Sequence, residues 1–402
     1  MNKQVLIAGG GIGGLAAAIG ASRAGCEVRL YERAAHFSEV GAGVQLGPNA
    51  VRLLHGWGMQ AALQAVAAFP DRLQVRSALG GQTLATLPLG PAAMQRYGAA
   101  YATIHRADLH GLLLHALQGC PGVQLNPGCA IERYTELGES VLVHTSTGLT
   151  VEGDALVGAD GLWSRTRAQL LGDAPPRATG HLAYRALVPQ AALPPHLRST
   201  QVTAWLGPHL HVVHYPVRRG ELLNLVVIVH GTPPQDLEGW DHAANAAGLV
   251  QALAHTSSAL QDVVRSVAAA GYGWRLWPLC DRAPVRSDAD MARGLVALLG
   301  DAAHPMPPYL AQGAAMALED AAHLQRALAL RELEVPLRLR RYALNRWQRA
   351  ARVQARSQRN GRIFHATGPV RWGRDVVMRL LGQRLLDVPW LYRGDGSSAS
   401  AL

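Results

Sequence analysis

The N-terminal part of the chain alternates short apolar runs with a segment of small residues. Residues 4–8 are a short apolar run of the kind that forms a strand buried on both faces of a sheet. Residues 15–24 are small and apolar, which favours a helix, and Gly25 is placed to end it. Residues 27–32 form the next strand-like run. The pattern predicts a strand, a turn, a helix and a second strand, which is how an α/β fold begins.

The turn after the first strand carries three glycines in G-x-G-x-x-G spacing. Gly9 permits a tight turn, Gly11 lets the backbone approach a pyrophosphate, and Gly14 lets the helix pack close to the strand. The helix N-terminus would offer N–H groups and a partial positive charge to phosphates. Glu32 ends the second strand, where an acid can accept hydrogen bonds from a ribose. The segment predicts a dinucleotide site without separating FAD from NAD, the alternative being a glycine-rich turn with no ligand.

Two later segments each place an aspartate at a turn after an apolar run. Asp160 and Gly161 follow residues 156–159, and Asp301 follows residues 295–300. An aspartate at the C-terminal edge of a strand, beside glycine, can hydrogen-bond a ribose or ribityl hydroxyl. Taken singly, either aspartate is equally typical of an ordinary Asx turn.

The middle of the chain changes to strands that alternate or run apolar. Turns at Gly207-Pro208 and Arg219-Gly220 join them, as in an antiparallel sheet. The predicted strands are residues 179–188, 201–206, 209–217 and 222–230. We expect an α/β protein in which a Rossmann-like domain carries this inserted antiparallel sheet and is followed by a helical C-terminus.

Composition and charge narrow the classes of function. Of 402 residues, 49% are hydrophobic and 16% are charged, which provides apolar material for a core and argues against extensive disorder. The net charge of +10 would suit a nucleic-acid-binding module. However, the arginines are spread along the chain, and their densest stretch, residues 331–362, has the spacing of a solvated helical face. We therefore expect no nucleic-acid partner.

The cysteines and the N-terminus bear on the compartment. Cys26, Cys120, Cys129 and Cys280 lack CxxC or zinc-ligand spacing, so we expect neither a disulfide nor a metal site, and a cytoplasmic location. Residues 5–24 lack the charged leader and unbroken apolar run of a signal peptide. No stretch has the length of a charge-free transmembrane helix, so we expect no integral membrane association.

Together with residues 104–109 (Ile-His-Arg-Ala-Asp-Leu), these motifs resemble those of the aromatic-ring hydroxylases, the single-component FAD monooxygenases related to p-hydroxybenzoate hydroxylase. The resemblance covers essentially the whole chain in order. It implies non-covalent FAD, NADH (or NADPH) as co-substrate, and oxygen transfer through a flavin C4a-hydroperoxide. The cofactor-binding residues it implies are Gly9, Gly11, Gly14 and Glu32 for the ADP half with Arg33 beside them, Arg106 and Asp301 for the ribityl–phosphate region, Asp160 in a motif shared with NAD(P)H, Gly313 near the isoalloxazine, and Gln45 in a loop that moves with the flavin.

The implied reaction needs a group that removes the phenol proton of the substrate, because the ring then becomes a better nucleophile. His211 and Tyr215 lie four positions apart and would share one face of a strand. Their segment resembles the substrate-contacting strand of the shorter family members, and the alternative is that both side chains pack under the cofactor. Gln312 is the third candidate catalytic residue, and Tyr309, in the same loop, is a candidate for substrate binding.

Other residues near these motifs are expected to be structural. His209 beside its turn is expected to be exposed, and His214 should face away from His211. The residues interpreted as structural are His304, beside Asp301, and Glu319 and Asp320, which suit a helix dipole. Ala315 stands where many members of the family have asparagine.

Four segments follow from this interpretation. Residues 1–174 are predicted as the first part of the FAD-binding domain, with an excursion into the substrate domain near residues 70–100. The remaining segments are residues 175–280 as the substrate-binding sheet domain, 281–330 as the second part of the FAD-binding domain, and 331–402 as a helical region with a disordered tail from Gly394 to Leu402.

The predicted function is hydroxylation of a small phenolic acid with O₂, and 3-hydroxybenzoate to gentisate is the first choice. Salicylate or 6-hydroxynicotinate hydroxylation is the alternative within the family. An FAD-binding protein without turnover is the alternative from another class. A homodimer is possible on this interpretation.

Overall fold

The computed structural model describes residues 2–37, 42–239, 242–243 and 246–394. Gly41 of the predicted flavin loop and all of the predicted disordered tail except Gly394 lie outside these residues. The chain divides into two compact units. The first comprises Met1–Val40, Ala107–Arg177 and Asp281–Ser357, and the second comprises Gly41–Arg106, Ala178–Cys280 and Gln358–Leu402.

The strands and helices have the following bounds. The strands are β1 (Gln4–Ala8), β2 (Glu27–Glu32), β3 (Gly43–Leu46), β4 (Arg72–Ser77), β5 (Thr83–Pro88), β6 (Ala102–His105), β7 (Val123–Pro127), β8 (Ile131–Glu136), β9 (Val141–Thr145), β10 (Thr150–Gly153), β11 (Ala155–Gly158), β12 (Arg177–Pro189), β13 (Val202–Gly207), β14 (Leu210–Val217), β15 (Leu222–His230), β16 (His242–Ala243), β17 (Arg275–Asp281), β18 (Ala292–Arg293) and β19 (Val296–Leu298). The helices are α1 (Ile12–Arg23), α2 (Pro48–Gly56), α3 (Gln60–Val66), α4 (Gly90–Tyr97), α5 (Arg106–Gln118), α6 (Arg165–Leu171), α7 (Ala246–Ala252), α8 (Ser258–Ala269), α9 (Gly313–Leu328), α10 (Val335–Phe364), α11 (Gly368–Leu381), α12 (Gln383–Leu386) and α13 (Pro389–Tyr392).

The first unit is built on a six-stranded sheet in the order β18-β19-β11-β1-β2-β7. The pairs from β19 to β7 are parallel, and β18 pairs antiparallel at the edge. The apolar runs that predicted β1 and β2 are buried here, as expected for the centre of a parallel sheet. A separate antiparallel sheet, in the order β10-β9-β8, belongs to the same unit. Both aspartate motifs follow neighbouring strands of the six-stranded sheet, β11 and β19.

Helices α1 and α9 pack against each other through small residues. A Cβ placed on Gly20 of α1 would lie 2.8 Å from the carbonyl oxygen of Ala321 in α9. A Cβ on Gly13 would lie 3.5 Å from the Cβ of Ala317, also in α9. Both helices begin at a predicted cofactor-binding turn, so this close contact fixes the spacing between the two turns.

The arginine-rich helix α10 is not wholly a solvated face. Arg346 is 0% exposed and Arg338 is 6% exposed. Arg338 donates to the backbone carbonyl oxygens of Leu328, Arg331 and Leu333, whereas Arg346 pairs with acids of α9. The prediction for this stretch was wrong at these two positions, because both side chains satisfy buried acceptors. In the described ranges, no helix combines the length and apolar character needed to cross a membrane.

The second unit is built on an eight-stranded sheet in the order β16-β17-β12-β15-β14-β13-β4-β5. The four predicted strands correspond to β12, β13, β14 and β15, and the pairs β12–β15, β15–β14 and β14–β13 are antiparallel. One face of these strands packs against α7 and α8 in an apolar core that contains Trp205, Val212 and Val227. The opposite face carries the polar side chains described below.

The observed division differs from the predicted segments at two places. All of residues 41–106 belong to the second unit, because β3 pairs with β6 and β4 pairs in parallel with β13. The C-terminal helical region is divided within α10, after Ser357. Pairing between distant strands does not change the amino-acid composition at the boundaries of the two units, so the sequence does not reveal these boundaries.

Candidate active site

The glycine-rich turn has the geometry of a backbone cradle. Gly9 has φ +102°, and a Cβ placed on it would lie 2.4 Å from the carbonyl oxygen of Ala159. A Cβ on Gly14 would lie 1.8 Å from the carbonyl oxygen of Gly9, so the fold requires glycine at both positions. Gly11 is the N-cap of α1 and, as a glycine, supplies no capping side chain. The first N–H groups of α1 are therefore suited to an anion, and the turn fits the pyrophosphate of a dinucleotide.

Glu32 is held at the end of β2 by two backbone groups. Its carboxylate accepts hydrogen bonds from the N–H groups of Gly10 (2.6 Å) and Ala34 (2.8 Å). A carboxylate oxygen has two lone pairs, so both oxygens can still accept a ribose hydroxyl. Arg33 is exposed beside it. The structure fixes the position of Glu32, and cofactor binding by Glu32 and Arg33 stays a prediction.

Asp160 organises the helix that follows it. The Ser164 hydroxyl donates to its Oδ1 (2.5 Å), and the N–H and hydroxyl of Thr166 donate to its Oδ2 (3.0 Å each). Ser164 also accepts a hydrogen bond from the N–H of Arg167 as the N-cap of α6. These contacts give the carboxylate a structural role, and its binding of FAD or NAD(P)H stays a prediction.

Asp301 lies in a short 3₁₀ helix, Gly300–Ala302, directly after β19. Its side chain is exposed, whereas Ala303 is buried. A Cβ placed on Gly313, the first residue of α9, would lie 3.9 Å from Asp301 Oδ1. The side chain of Gln312, the N-cap residue, does not cap α9, and the start of this helix and the Asp301 carboxylate border one space. A ribityl chain fits this space, because its hydroxyl groups both donate and accept hydrogen bonds.

The loop before α9 contains Tyr309 and Gln312, both buried in the first unit. Burial raises the pKa of Tyr309, with a further increase from Asp281, so its hydroxyl stays protonated. Gln312 is the N-cap residue of α9, and Ala311 before it has a left-handed φ of +52°. Ala315 is buried within α9 (0% exposed).

A buried ion network, which was not predicted from the sequence, lies next to Asp301. It joins α9 to α10: Arg346 Nε lies 2.7 Å from Asp320 Oδ1 and its Nη1 lies 2.9 Å from Glu319 Oε2. Arg349 is the second partner of Glu319, at 2.6 Å. His304 Nε2 lies 2.5 Å from Asp320 Oδ2. We call His304, Glu319, Asp320, Arg346 and Arg349 the ion network.

The ion network supports the turn that carries Asp301. Burial alone raises the pKa of Asp320, but the charges of His304 and Arg346 outweigh it and hold the pKa below its usual range. Asp320 Oδ2 also accepts a hydrogen bond from the N–H of Gly300 at 3.0 Å. The interpretation of Asp320 as structural agrees with these contacts, although ion pairs rather than the helix dipole account for it.

In the second unit, His211 and Tyr215 lie on the same face of β14, as their spacing predicts. Leu210 and Val212 point the other way, into the core beneath α7 and α8. His211 and Tyr215 are four positions apart, which corresponds to about 13 Å along the strand. A small aromatic ring lying over Val213, between them, would therefore be reached from both ends.

Tyr215 is buried beside Gln45 and Tyr101. Tyr101 donates to Gln45 Oε1 at 2.8 Å, and the Gln45 side chain also hydrogen-bonds Tyr215. Burial raises the pKa of Tyr215 although the Arg185 charge and the Gln45 hydrogen bond lower it, so Tyr215 is a hydrogen-bond donor rather than a base at neutral pH. Gln45 was predicted in a loop, but it lies in β3, which pairs with β6.

A cation on the same face, Arg185 of β12, was not predicted from the sequence. Its guanidinium lies over the Trp277 ring, 4.9 Å from the centroid. Its Nε is buried without a hydrogen-bond acceptor, and among the described residues the side chains that influence its charge are Tyr215 and Arg106, neither of which is a carboxylate. Burial lowers its pKa, the Tyr215 hydroxyl raises it and the charge of Arg106 lowers it. The arginine remains charged in any case and is placed to receive an anion.

His211 is held in a defined orientation by a second histidine. Its Nδ1 lies 2.7 Å from Nε2 of His365, which follows α10. Burial, with a smaller contribution from His181, lowers the pKa of His211 to about 3, so the ring is neutral and one of its nitrogens has a lone pair for a hydrogen bond from a phenol. His214 faces the opposite side, as expected, and both of its ring nitrogens lack a partner. His209 is exposed, also as expected.

Comparison with known proteins agrees with this geometry. A family model described as an FAD binding domain matches residues 2–357. The 3-hydroxybenzoate 6-hydroxylase of Polaromonas naphthalenivorans (strain CJ2) is 38% identical, with 96% of this chain and 95% of that protein covered. The 3-amino-4-hydroxybenzoate 2-monooxygenase PtnB3 of Streptomyces platensis is also 38% identical, with 97% of this chain and 95% of that protein covered.

Solved structures show the same fold. A salicylate hydroxylase substrate complex superposes with a TM-score of 0.81 at 27% identity, covering 99% of this chain and 97% of that chain. The chain therefore belongs to the FAD-binding family of aromatic-ring hydroxylases, which confirms the resemblance in its motifs. It is an FAD-dependent aromatic monooxygenase, with NAD(P)H as the co-substrate that is typical of these hydroxylases.

Proposed function

We propose that this enzyme hydroxylates 3-hydroxybenzoate para to its hydroxyl group, giving gentisate, with FAD, O₂ and NADH. The observation that carries the proposal is the polar face of β12 and β14, where neutral His211 and unpaired Arg185 are the two groups that a phenolic acid requires. The relative named 3-hydroxybenzoate 6-hydroxylase supports this substrate. When bound, FAD supplies the activation of O₂ with electrons from NAD(P)H.

The first unit would hold the cofactor. The cradle at Gly9 and Gly14 and the N-terminus of α1 suit the pyrophosphate, and Glu32 suits the ribose. Asp301 and the N-terminus of α9 at Gly313 suit the ribityl chain. The roles of Arg106 and Gln312 toward the flavin and substrate, and that of Tyr309, stay predictions from the sequence.

The eight-stranded sheet of the second unit would be the substrate-binding sheet. We infer that Arg185 binds the carboxylate and that His211 accepts the phenol proton. Removing this proton makes the ring carbon para to the hydroxyl more nucleophilic, which is what electrophilic oxygen transfer requires. Tyr215 and Gln45, both uncharged, would position the ring between these two groups.

The test is product identity with a panel of acids. The purified, FAD-loaded enzyme is mixed with NADH and with 3-hydroxybenzoate, salicylate, 6-hydroxynicotinate or 3-amino-4-hydroxybenzoate. We expect 3-hydroxybenzoate to accelerate NADH oxidation and to give gentisate in near-stoichiometric amount. If NADH oxidation yields only hydrogen peroxide, whichever acid is offered, 3-hydroxybenzoate is not the substrate. A yellow protein that never oxidises NADH would favour the non-catalytic FAD-binding alternative.

Substitution of Arg185 tests the carboxylate site. Methionine keeps the unbranched stem of the side chain but removes the charged guanidinium, so Arg185→Met should raise KM for 3-hydroxybenzoate by about 10- to 100-fold, as expected for the loss of a charge-assisted hydrogen bond. The variant should also lose discrimination against 3-hydroxybenzyl alcohol, which lacks the carboxylate. Arg72→Met, an exposed arginine on β4, is the control and should leave KM unchanged. Discrimination retained by Arg185→Met would show that another group binds the carboxylate.

Location and assembly are also proposals. None of the four cysteines, all of which lie in the described ranges, forms a disulfide, which supports a reducing cytoplasm. A homodimer stays a prediction that sedimentation analysis of the holoenzyme would test.

A further inference from the structure

A cluster of histidines lies at one end of the polar sheet face. His181 of β12 and His230 of β15 are directly paired across the two strands, and their rings stack with centroids 4.4 Å apart. His365 lies against both, with its Nδ1 2.9 Å from His230 Nε2. Each of these three residues offers one ring nitrogen such that all three nitrogens lie within 4.8 Å of one another. We call His181, His230 and His365 the histidine cluster.

Backbone hydrogen bonds, in addition to the contacts between side chains, hold the residues of the histidine cluster in place. The N–H of His230 donates to the carbonyl oxygen of His209 (3.1 Å), and the N–H of His209 donates to that of His365 (3.2 Å). Pairing within the sheet holds His181 opposite His230. All of these residues belong to the second unit. The three ligand nitrogens are therefore pre-organised by strands and by the end of a long helix, not by a loose loop.

Neutral imidazole is the form of histidine that binds metals. His365 is buried, His181 is half-buried and His230 is exposed, so the cluster has both a shielded side and a route from solvent.

We propose that His181, His230 and His365 form a binding site for a divalent transition metal, with Zn²⁺ the best-suited ion and water completing its coordination. Imidazole ligands suit Zn²⁺, and three of them with one open position is a common zinc arrangement. Ligand nitrogens in a tetrahedral zinc site are about 3.3 Å apart, given bonds of about 2.0–2.1 Å. The 2.9 Å pair fits this distance, and the third nitrogen needs to move by about 1–1.5 Å at most.

A hydrogen bond of His365 connects the proposed metal site to His211, the candidate base. A metal-bound histidine usually donates its other ring N–H to a partner that fixes its tautomer. Here the other nitrogen of His365, Nε2, faces His211 Nδ1 at 2.7 Å. The contact has the geometry of a metal site with its supporting hydrogen bond. The sequence predicted no metal site because the three histidines are far apart along the chain and the cysteines lack ligand spacing.

Metal binding would change the tautomer of His211. With a metal on His365 Nδ1, the His365 proton must lie on Nε2 and be donated to His211 Nδ1. His211 then carries its own proton on Nε2 and has no nitrogen left to accept the phenol proton. Without metal, His365 can donate from Nδ1 to His230, and His211 can donate from Nδ1 to His365, which leaves its Nε2 as the acceptor. Each ring is neutral in both states, so no net proton is released. The site is therefore an inhibitory one; this part of the inference rests on the proposed role of His211.

Zinc binding can be measured without activity. Metal-stripped, FAD-loaded enzyme is titrated with ZnCl₂ by calorimetry, and the zinc retained after gel filtration is counted by elemental analysis. We expect one equivalent in the wild type and at least about 10-fold weaker binding in His181→Gln, since losing a supporting contact alone costs that much. His196→Gln, an exposed histidine of the same unit, is the matched control and should bind like the wild type. His230→Gln repeats the test if His181→Gln is unstable.

The activity measurement then separates the two parts of the proposal. Saturating Zn²⁺ should lower hydroxylation by the wild type relative to its metal-free rate, and EDTA should restore that rate. Zn²⁺ should not change the rate of His181→Gln relative to the metal-free rate of the same variant. No saturable binding, or equal binding by His181→Gln, overturns the site. Binding at one equivalent with hydroxylation unchanged overturns the coupling to His211. If no phenolic acid is hydroxylated at all, the proposed function fails while calorimetry still decides the metal site.

Discussion

His211→Ala is expected to lower the rate of hydroxylation by about 100-fold or more, the usual contribution of a positioned base. The variant should still bind FAD and oxidise NADH, because His211 belongs to the sheet face and not to the glycine-rich or Asp301 turns. The reduced oxygen should then be released as hydrogen peroxide instead of being divided between the new hydroxyl of gentisate and water. Rapid-mixing kinetics combined with product and peroxide assays measure both rates in one experiment.

The pH dependence of this variant is the sharper readout. Burial holds the pKa of wild-type His211 at about 3, so the protonation state of this residue does not change across the neutral range. Without it, the phenol must lose its proton to solvent, and the hydroxylation rate should rise with pH as more phenolate is present. His214→Leu is the matched control: it removes a histidine from the opposite face of the same strand and should leave hydroxylation unchanged. If His211→Ala converts the same fraction of oxidised NADH into gentisate as the wild type, another residue takes the phenol proton.

Asp320→Asn is expected to be the most destabilising substitution in the first unit. The amide keeps the shape of the side chain but leaves Arg346 and His304 buried beside a neutral group, and breaking such a buried pair costs about 3–5 kcal/mol. FAD affinity should fall too, since Asp320 supports the backbone of Gly300 next to Asp301. Urea unfolding and fluorescence titration with FAD measure the two effects.

An exposed ion pair provides the control for Asp320. Asp288→Asn makes the same chemical change in a partly exposed pair with Arg340, and it should cost less than about 1 kcal/mol. The pH dependence has a defined sign. The folded pKa of Asp320 lies below its unfolded value, so its stabilising contribution is complete above an unfolded pKa of about 4 and is lost as pH falls through the folded pKa. A loss in Asp320→Asn no greater than that in Asp288→Asn would contradict the role of the ion network.

Local chemistry explains what the sequence could predict. The glycines of the first turn can be recognised because each has a backbone task that other residues cannot perform. His211 and Tyr215 were placed on one face because a strand has a period of two. The sheet strands followed from apolar alternation bounded by turns. In each case, the information lies within about a dozen neighbouring residues.

The features that were missed depend on contacts between distant segments. Arg346 pairs with acids 26 and 27 positions earlier in the chain, and a run of arginines hides which one points inward. A signal was available, since Arg346 continues the buried stripe of α10 that includes Leu339, Tyr342 and Ala350. Arg185 could likewise have been noticed as a charge within an apolar strand. Nothing in the sequence, however, indicates that strands β12 and β15 and the end of α10 bring three histidines together.

The contact between α1 and α9 limits how this enzyme can vary. At Gly20, the α9 backbone lies where a side chain would begin, so a larger residue there would have to push the two helices apart. Each helix begins at a turn expected to hold a different part of FAD. Random mutagenesis should therefore yield cofactor-deficient variants at positions that never touch the cofactor. In directed evolution toward new phenolic substrates, the small residues of this contact should be left unchanged while the polar face of the eight-stranded sheet is diversified.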